Sequence, residues 1–216
     1  MQGKVTVPTS LSEITLNQYQ RFLKVQEINN DEHILQCKMI EIFCNVDFKD
    51  VKKIKLKDAQ KIIEMITRLF ETKPQLVKTF KLNGVEFGFH PDLESMTMGE
   101  YIDVDTYLPQ NNQMHLALNV LYRPIKNKSA GKYSIEEYNI DTKDRMLDMP
   151  LDAVLGAVFF FQNLGLELLS VMNHYLVGEL DKQQLPLQDL DKNGVGIQAS
   201  MHSLKEILED LKISLN

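Results

Sequence analysis

Cysteine is scarce in this 216-residue chain, and so is anything that would carry it into a secretory route or a membrane. The two cysteines, Cys37 and Cys44, stand seven residues apart. On a helix that spacing puts them on one face but about 10 Å apart along the axis, too far for a disulfide. Free, buried thiols in a reducing compartment are the expectation. The opening MQGKVTVPTS has no apolar run, so no secretory signal is expected. The longest unbroken apolar stretch, Ala153 to Phe161 with Gly156 counted in, falls far short of the roughly twenty residues a membrane span needs. The default is cytosolic synthesis with no membrane partner.

Catalytic and cofactor signatures are missing as well. Neither GxGxxG nor GxxxxGK(S/T) occurs. The five histidines, His33, His90, His115, His174 and His202, have neither HxxxH nor HExxH spacing. His174, beside Asn173, reads as a core or helix-end residue. Ser200-Met201-His202-Ser203 has no nucleophile elbow around it. Asp103 and Asp105 form a DxD pair, but residues two apart on a helix point away from each other and make a poor metal site. DLDKNG imitates the front of a calcium loop, with Asp189, Asp191 and Asn193 at positions one, three and five and Gly194 at six. It then fails, because position twelve is Ser200 instead of a bidentate glutamate and Pro186 interrupts any entering helix. An ordinary polar turn is the expected reading. No enzyme, cofactor or metal site is expected.

Net charge is −6, which gives no global pull toward nucleic acid. Against that background Lys49, Lys52, Lys53, Lys55, Lys57 and Lys61 crowd one short segment. Phosphates or an acidic partner would suit them, but no arginine or aromatic is interleaved to read or stack bases. A solvated helix edge is the expected role.

What the sequence does have is a phrase used twice. LSEITLNQYQRFL (11–23) and LESMTMGEYIDVD (93–105) align Leu11 with Leu93, Thr15 with Thr97, Gln18 with Glu100 and Tyr19 with Tyr101. Each threonine stands at a helix N-cap, and the Gln or Glu three residues on completes a capping box. Ile14/Tyr19 and Met96/Tyr101 have the spacing of a hydrophobic staple. An internal repeat and two helices that arrived at the same cap both fit. A solenoid does not, since it needs three or more units.

Helical periodicity predicts helices over 15–26, 31–44, 56–71, 98–107, 111–122 and 150–176, the last apolar almost all round and expected to be the most buried. Pro74 stops the third, and Pro124 is expected to end the fifth, before a loop at 127–132. Phe80–Phe87 with Asn83-Gly84 predicts a type I′ hairpin near 79–89, and KYSIEEYNI reads as a weak strand that joins it. Gly156, Ala157 and Gly165 allow neighbours to approach the 150–176 helix closely. A polar linker is expected over 178–199. A last amphipathic helix follows within 200–216, its stripe Leu204, Ile207, Leu208 and Leu211 offered to this chain's core or to a partner. The fold class is α+β, mainly α: one helix-rich domain over 1–177 with a small antiparallel β element, then the linker and the C-terminal helix.

Three phrases carry a family likeness: VPTSLSEITLNQYQRFL, FGFHPDLESMTMGEYIDVDTYL, and NVLYRPI followed by MPLDAVLGAVFFFQNLG. Over residues 5–176 the chain resembles small proteins of tailed bacteriophages encoded among virion-structure and tail-assembly genes. The resemblance implies a non-catalytic morphogenesis role, as an assembly chaperone or a minor head–tail component. It implies other phage structural or assembly proteins, or a second copy, as partners, with residence in the host cytoplasm or the virion. It carries over no residue roles. A regulatory or host-takeover binder made in the host cytoplasm is the alternative.

Overall fold

Two threonines start two helices in the same way. The structure is a computed structural model, and it describes residues 5–129 and 131–183. Helix α1 (Leu16–Ile28) is capped by Thr15, whose hydroxyl accepts from the Gln18 N–H at 3.2 Å while Gln18 Oε1 accepts from the Thr15 N–H at 2.9 Å. Helix α5 (Met98–Tyr107) repeats this with Thr97 and Glu100, at 3.3 and 2.8 Å. The likeness reaches one turn further back. A short 3-10 turn precedes each cap, Leu11–Glu13 and Leu93–Ser95. The two phrases therefore build one local module twice. Thr15→Ala and Thr97→Ala are each expected to lower stability by about 1 kcal/mol in urea unfolding. No change in either variant would mean that the caps contribute nothing.

The two modules differ at the next aromatic. Tyr19 is partly covered and stacks on Phe70, ring centres 6.1 Å apart. Tyr101 is 59% exposed, so the second staple leaves most of its ring in water.

Helix α2 (Glu32–Phe43) starts on Asp31, whose carboxylate accepts from the N–H groups of His33 and Ile34. A single turn, α3 (Phe48–Val51), follows, and then α4 (Leu56–Phe70), which buries Ile62 and Ile66. Phe22, Phe43 and Phe70 join α1, α2 and α4, with ring centres 5.1 and 5.8 Å apart in sequence order.

Strands β1 (Thr79–Leu82) and β2 (Val85–Phe89) form the hairpin, and Asn83 and Gly84 take the positive φ values, 50° and 81°, that a type I′ turn requires. The hairpin is half of a four-stranded antiparallel sheet ordered β1-β2-β3-β4. Here the expectations around Pro124 need correcting. Helix α6 (Met114–Leu121) ends three residues earlier and runs straight into β3 (Tyr122–Ser129). Pro124 lies inside that strand, opposite Phe87, and most of the expected 127–132 loop is β structure. Proline biases the residue before it toward extended backbone, and the β3–β4 ladder absorbs the irregularity as a register shift between Ile125 and Asn127. Strand β4 (Lys132–Ile135) joins the hairpin only through β3. Tyr122 sits fully buried in this layer, against Phe80 and Phe89, and its hydroxyl donates to the Val77 carbonyl at 2.8 Å.

Helix α7 (Leu151–Gln183) begins beside α1. The Leu16 N–H donates to the Met149 carbonyl at 3.0 Å, and the Leu151 N–H to the Ile14 carbonyl at 2.9 Å. Leu151, Ala153, Val154 and Ala157 are fully buried. Full burial was expected along the whole helix, and among its described side chains none beyond Ala157 is fully buried. Phe159, Phe160 and Phe161 are half-buried, and Leu164 and Leu166 are exposed. The chain divides into two compact units, Met1–Val158 and Phe159–Asn216, inside this helix. A helix of 33 residues is about 50 Å long. It also continues to Gln183, so residues 178–183, expected in the linker, are helical. The rest of the linker, the near-miss calcium loop at Asp189, Asp191 and Asn193, and the stripe of Leu204, Ile207, Leu208 and Leu211 lie outside the described residues. The described part is α+β and mainly α.

Candidate functional site

Helix α5 is built inside out. At roughly 100° per residue, Glu100 and Val104 share one side, and both are buried. Met98, Tyr101 and Ile102 fall on the other side, 74%, 59% and 52% exposed. An amphipathic helix ordinarily hides its apolar face and shows its charges. Here one carboxylate faces the core beside Val104, and three large apolar side chains face water.

Arg123, at the start of β3, explains the inward glutamate. Its Nη1 lies 2.8 Å from Glu100 Oε1, with both side chains less than a tenth exposed. The second carboxylate oxygen of Glu100 accepts from the Thr97 N–H at 2.8 Å and the Thr97 hydroxyl at 3.0 Å. One carboxylate thus ties a helix N-cap to a central strand. Burial pushes the Glu100 carboxyl up, but the Thr97 donors and then the Arg123 guanidinium outweigh it and hold the group below the usual glutamate range. His90 is buried next to them and accepts at Nδ1 from the Asp92 N–H at 3.4 Å, the pattern of a neutral imidazole. Desolvation first, and Arg123 second, depress its pKa. On the lower flank of α5, the Tyr138 hydroxyl donates to Asp103 Oδ2 at 2.8 Å.

The sign of the pH response follows. Folded His90 takes up a proton at lower pH than unfolded His90, so its contribution is complete above about pH 6.5 and falls as pH drops below that. Glu100, also depressed, adds a second loss below about pH 4.5. Thermal melts from pH 7.5 to 3.5 are expected to fall in two limbs, and His90→Gln to remove the upper one. Persistence of the upper limb in His90→Gln would assign it elsewhere.

The other residues singled out from sequence stay apart. His33 stands in the first turn of α2, His90 after β2 and His115 in α6. Among the described residues no group of three His, Cys, Asp or Glu side chains is placed to hold a metal ion. Asp103 bonds Tyr138, and Asp105 is exposed. Cys37 and Cys44 are free, and burial pushes the Cys44 thiol up to about 11. The lysines of 49–61 are all exposed. Lys49 and Lys53 pair with Asp47 and Asp50. Among the described residues no helix is long and apolar enough to cross a membrane. Sequence reasoning read Glu100 as a capping residue and missed its burial. The available signal was Arg123, alone within the apolar run NVLYRPI and the first basic residue after Lys81.

Comparison with known proteins places no relative beside this chain: no family model, no curated protein and no solved structure matches it.

Proposed function

We propose that this chain is a non-catalytic protein of tailed-phage morphogenesis, a tail or virion assembly chaperone or a minor head–tail component, that works by binding another protein. The outward face of α5 carries the reading. Met98, Tyr101 and Ile102 are three large apolar side chains on adjacent turns of a helix anchored from behind by a buried ion pair. A rigid, solvent-facing apolar patch is the ordinary mark of a protein contact. The segment that carries it is acidic, since no lysine or arginine occurs between Lys81 and Arg123 while Glu94 and Asp105 are exposed. The matching partner surface is apolar with a basic rim. The phrases 7–23, 87–108 and 119–125, with the start of α7, supply the phage context by resemblance.

The test combines deletion with particle composition. The chain found in purified mature particles supports a structural component. Its absence from particles, with assembly halted on deletion, supports a chaperone. Complementation with Met98→Ser/Tyr101→Ser is expected to fail in either case while the purified variant melts like the parent. Normal particle yield on deletion, with only host proteins captured by the chain, would replace this reading with that of a host-directed binder.

A further inference from the structure

A second surface, on α1, has its own chemistry. The side of α1 away from buried Leu16, Gln18, Phe22 and Leu23 presents Arg21, Lys24 and Ile28, the last 75% exposed. Two clefts flank this ridge and share Arg21 and Lys24. One, of about 490 Å³, lies between α1 and the loop 110–112, where Gln20 Nε2 donates to the Asn111 carbonyl at 2.7 Å. The other, of about 280 Å³, lies between α1 and α2 and is lined by Val25, Ile28, Ile42 and Lys38 as well.

Arg21 and Lys24 differ from the other cations in lining both clefts. No salt bridge or side-chain hydrogen bond among the described residues uses Arg21 or Lys24. Lys38 pairs with Glu41 at 2.6 Å and also lies 4.7 Å from the centre of the Phe48 ring. Lys52 lies 4.5 Å from the same ring. Arg21, Lys24, Lys38 and Lys52 thus run from α1 across α2 to the end of α3, with Glu27 and Glu41 among them. Residues 21–61 hold nine of the 24 basic residues and seven of the 30 acidic ones, in a chain that is net negative.

We infer that this ridge and its two clefts dock an acidic segment of another protein, one that places carboxylates against Arg21 and Lys24 and apolar side chains against Ile28, Val25 and Ile42. Arg21 and Lys24, one turn apart and in no salt bridge among the described residues, outnumber the one carboxylate in each cleft, Glu27 or Glu41, and set the charge of the occupant. The apolar wall has no counterpart in a phosphate backbone, and a net charge of −6 opposes nucleic acid at a distance. Helix α1, 13 residues long, spans about 20 Å, the reach of about six residues of extended chain. The inference does not depend on the α5 face or on any role in phage assembly.

The test uses the purified full chain, isotope-labelled for NMR, and a synthetic peptide of about eight residues in which glutamate alternates with leucine, so that an extended chain presents acid on one side and leucine on the other. Saturable amide shifts are expected over 20–28, 38–42 and 110–112. Arg21→Glu/Lys24→Glu, both at exposed positions, is expected to weaken binding by about tenfold or more, with its melting temperature unchanged. Lys57→Glu/Lys61→Glu, on the solvated edge of α4, is expected to bind like the parent. Shifts confined to 52–61, no saturable shift at all, an unaffected Arg21→Glu/Lys24→Glu variant, or a single-stranded DNA of equal length that moves the same amides at lower concentration would each overturn the inference.

Discussion

Arg123→Met is expected to cost about 3–5 kcal/mol of stability, the largest loss for any single polar substitution in the first unit. The substitution keeps the volume and removes the charge. Glu100 is then buried with only the Thr97 donors to hold it. Its carboxylate must either take a proton at neutral pH or expose itself and pull the start of α5 out of place. The penalty should shrink on acidification, because a protonated Glu100 needs no cation. Glu100→Gln keeps the capping box and is expected to rescue Arg123→Met by more than half. Urea unfolding of the four proteins at pH 7 and pH 4.5 gives the coupling. A loss below 1 kcal/mol in Arg123→Met, or no rescue, would mean that the pair is solvated and does not set the orientation of α5.

Gly156→Ala is expected to destabilise where helix propensity alone says it should stabilise. Glycine to alanine inside a helix ordinarily gains about 0.5–1 kcal/mol. In α7, however, a Cβ on Gly156 would overlap the backbone carbonyl of Gln75 and crowd Leu76. Neither is the yielding end of a side chain. The extended segment after α4 or the helix itself has to shift, at a cost of about 1–3 kcal/mol or more. Gly99→Ala in α5 is the control, because nothing lies within 4 Å of the Cβ it would add. Opposite signs for the two alanines in thermal melts are the expected result. The same sign for both would mean that the close approach at Gly156 is not maintained.

How far the sequence foretold this depends on the distance over which each feature is decided. The caps at Thr15 and Thr97 and the Asn83-Gly84 turn are settled by three or four neighbouring residues, and they stand where the sequence puts them. Strand β3 was not legible. YRPIKNKS contains a proline and three basic residues, and it is extended because Tyr122 and Arg123 find partners in β2, α5 and the chain before β1. The polarity of α5 was hidden for the same reason, since the residue that draws Glu100 inward is 23 positions away. In α7 the apolar pattern runs on past Ala157, although Phe159, Phe160 and Phe161 are only half-buried, because periodicity marks an apolar face and not its degree of burial. The lysines of 49–61 are exposed, as a solvated edge requires, while the two cations that line both clefts, Arg21 and Lys24, were ordinary exposed positions of an ordinary amphipathic helix.

Tyr122 gives the molecule an internal optical marker. The chain has no tryptophan, so its near-ultraviolet signal comes chiefly from seven tyrosines. Burial first, then the neighbouring Tyr133 and Asp152, push the Tyr122 phenol far above its usual range. In the folded chain this ring stays un-ionised in alkali that would deprotonate it in water. Its phenolate absorbance can rise only once the layer between the hairpin and the first turns of α7 has opened to solvent. Tyr138 is pushed far up as well, so in a stopped-flow jump to high pH it is the part of the slow rise lost in Tyr122→Phe that times the opening of that layer, with no label added to the protein.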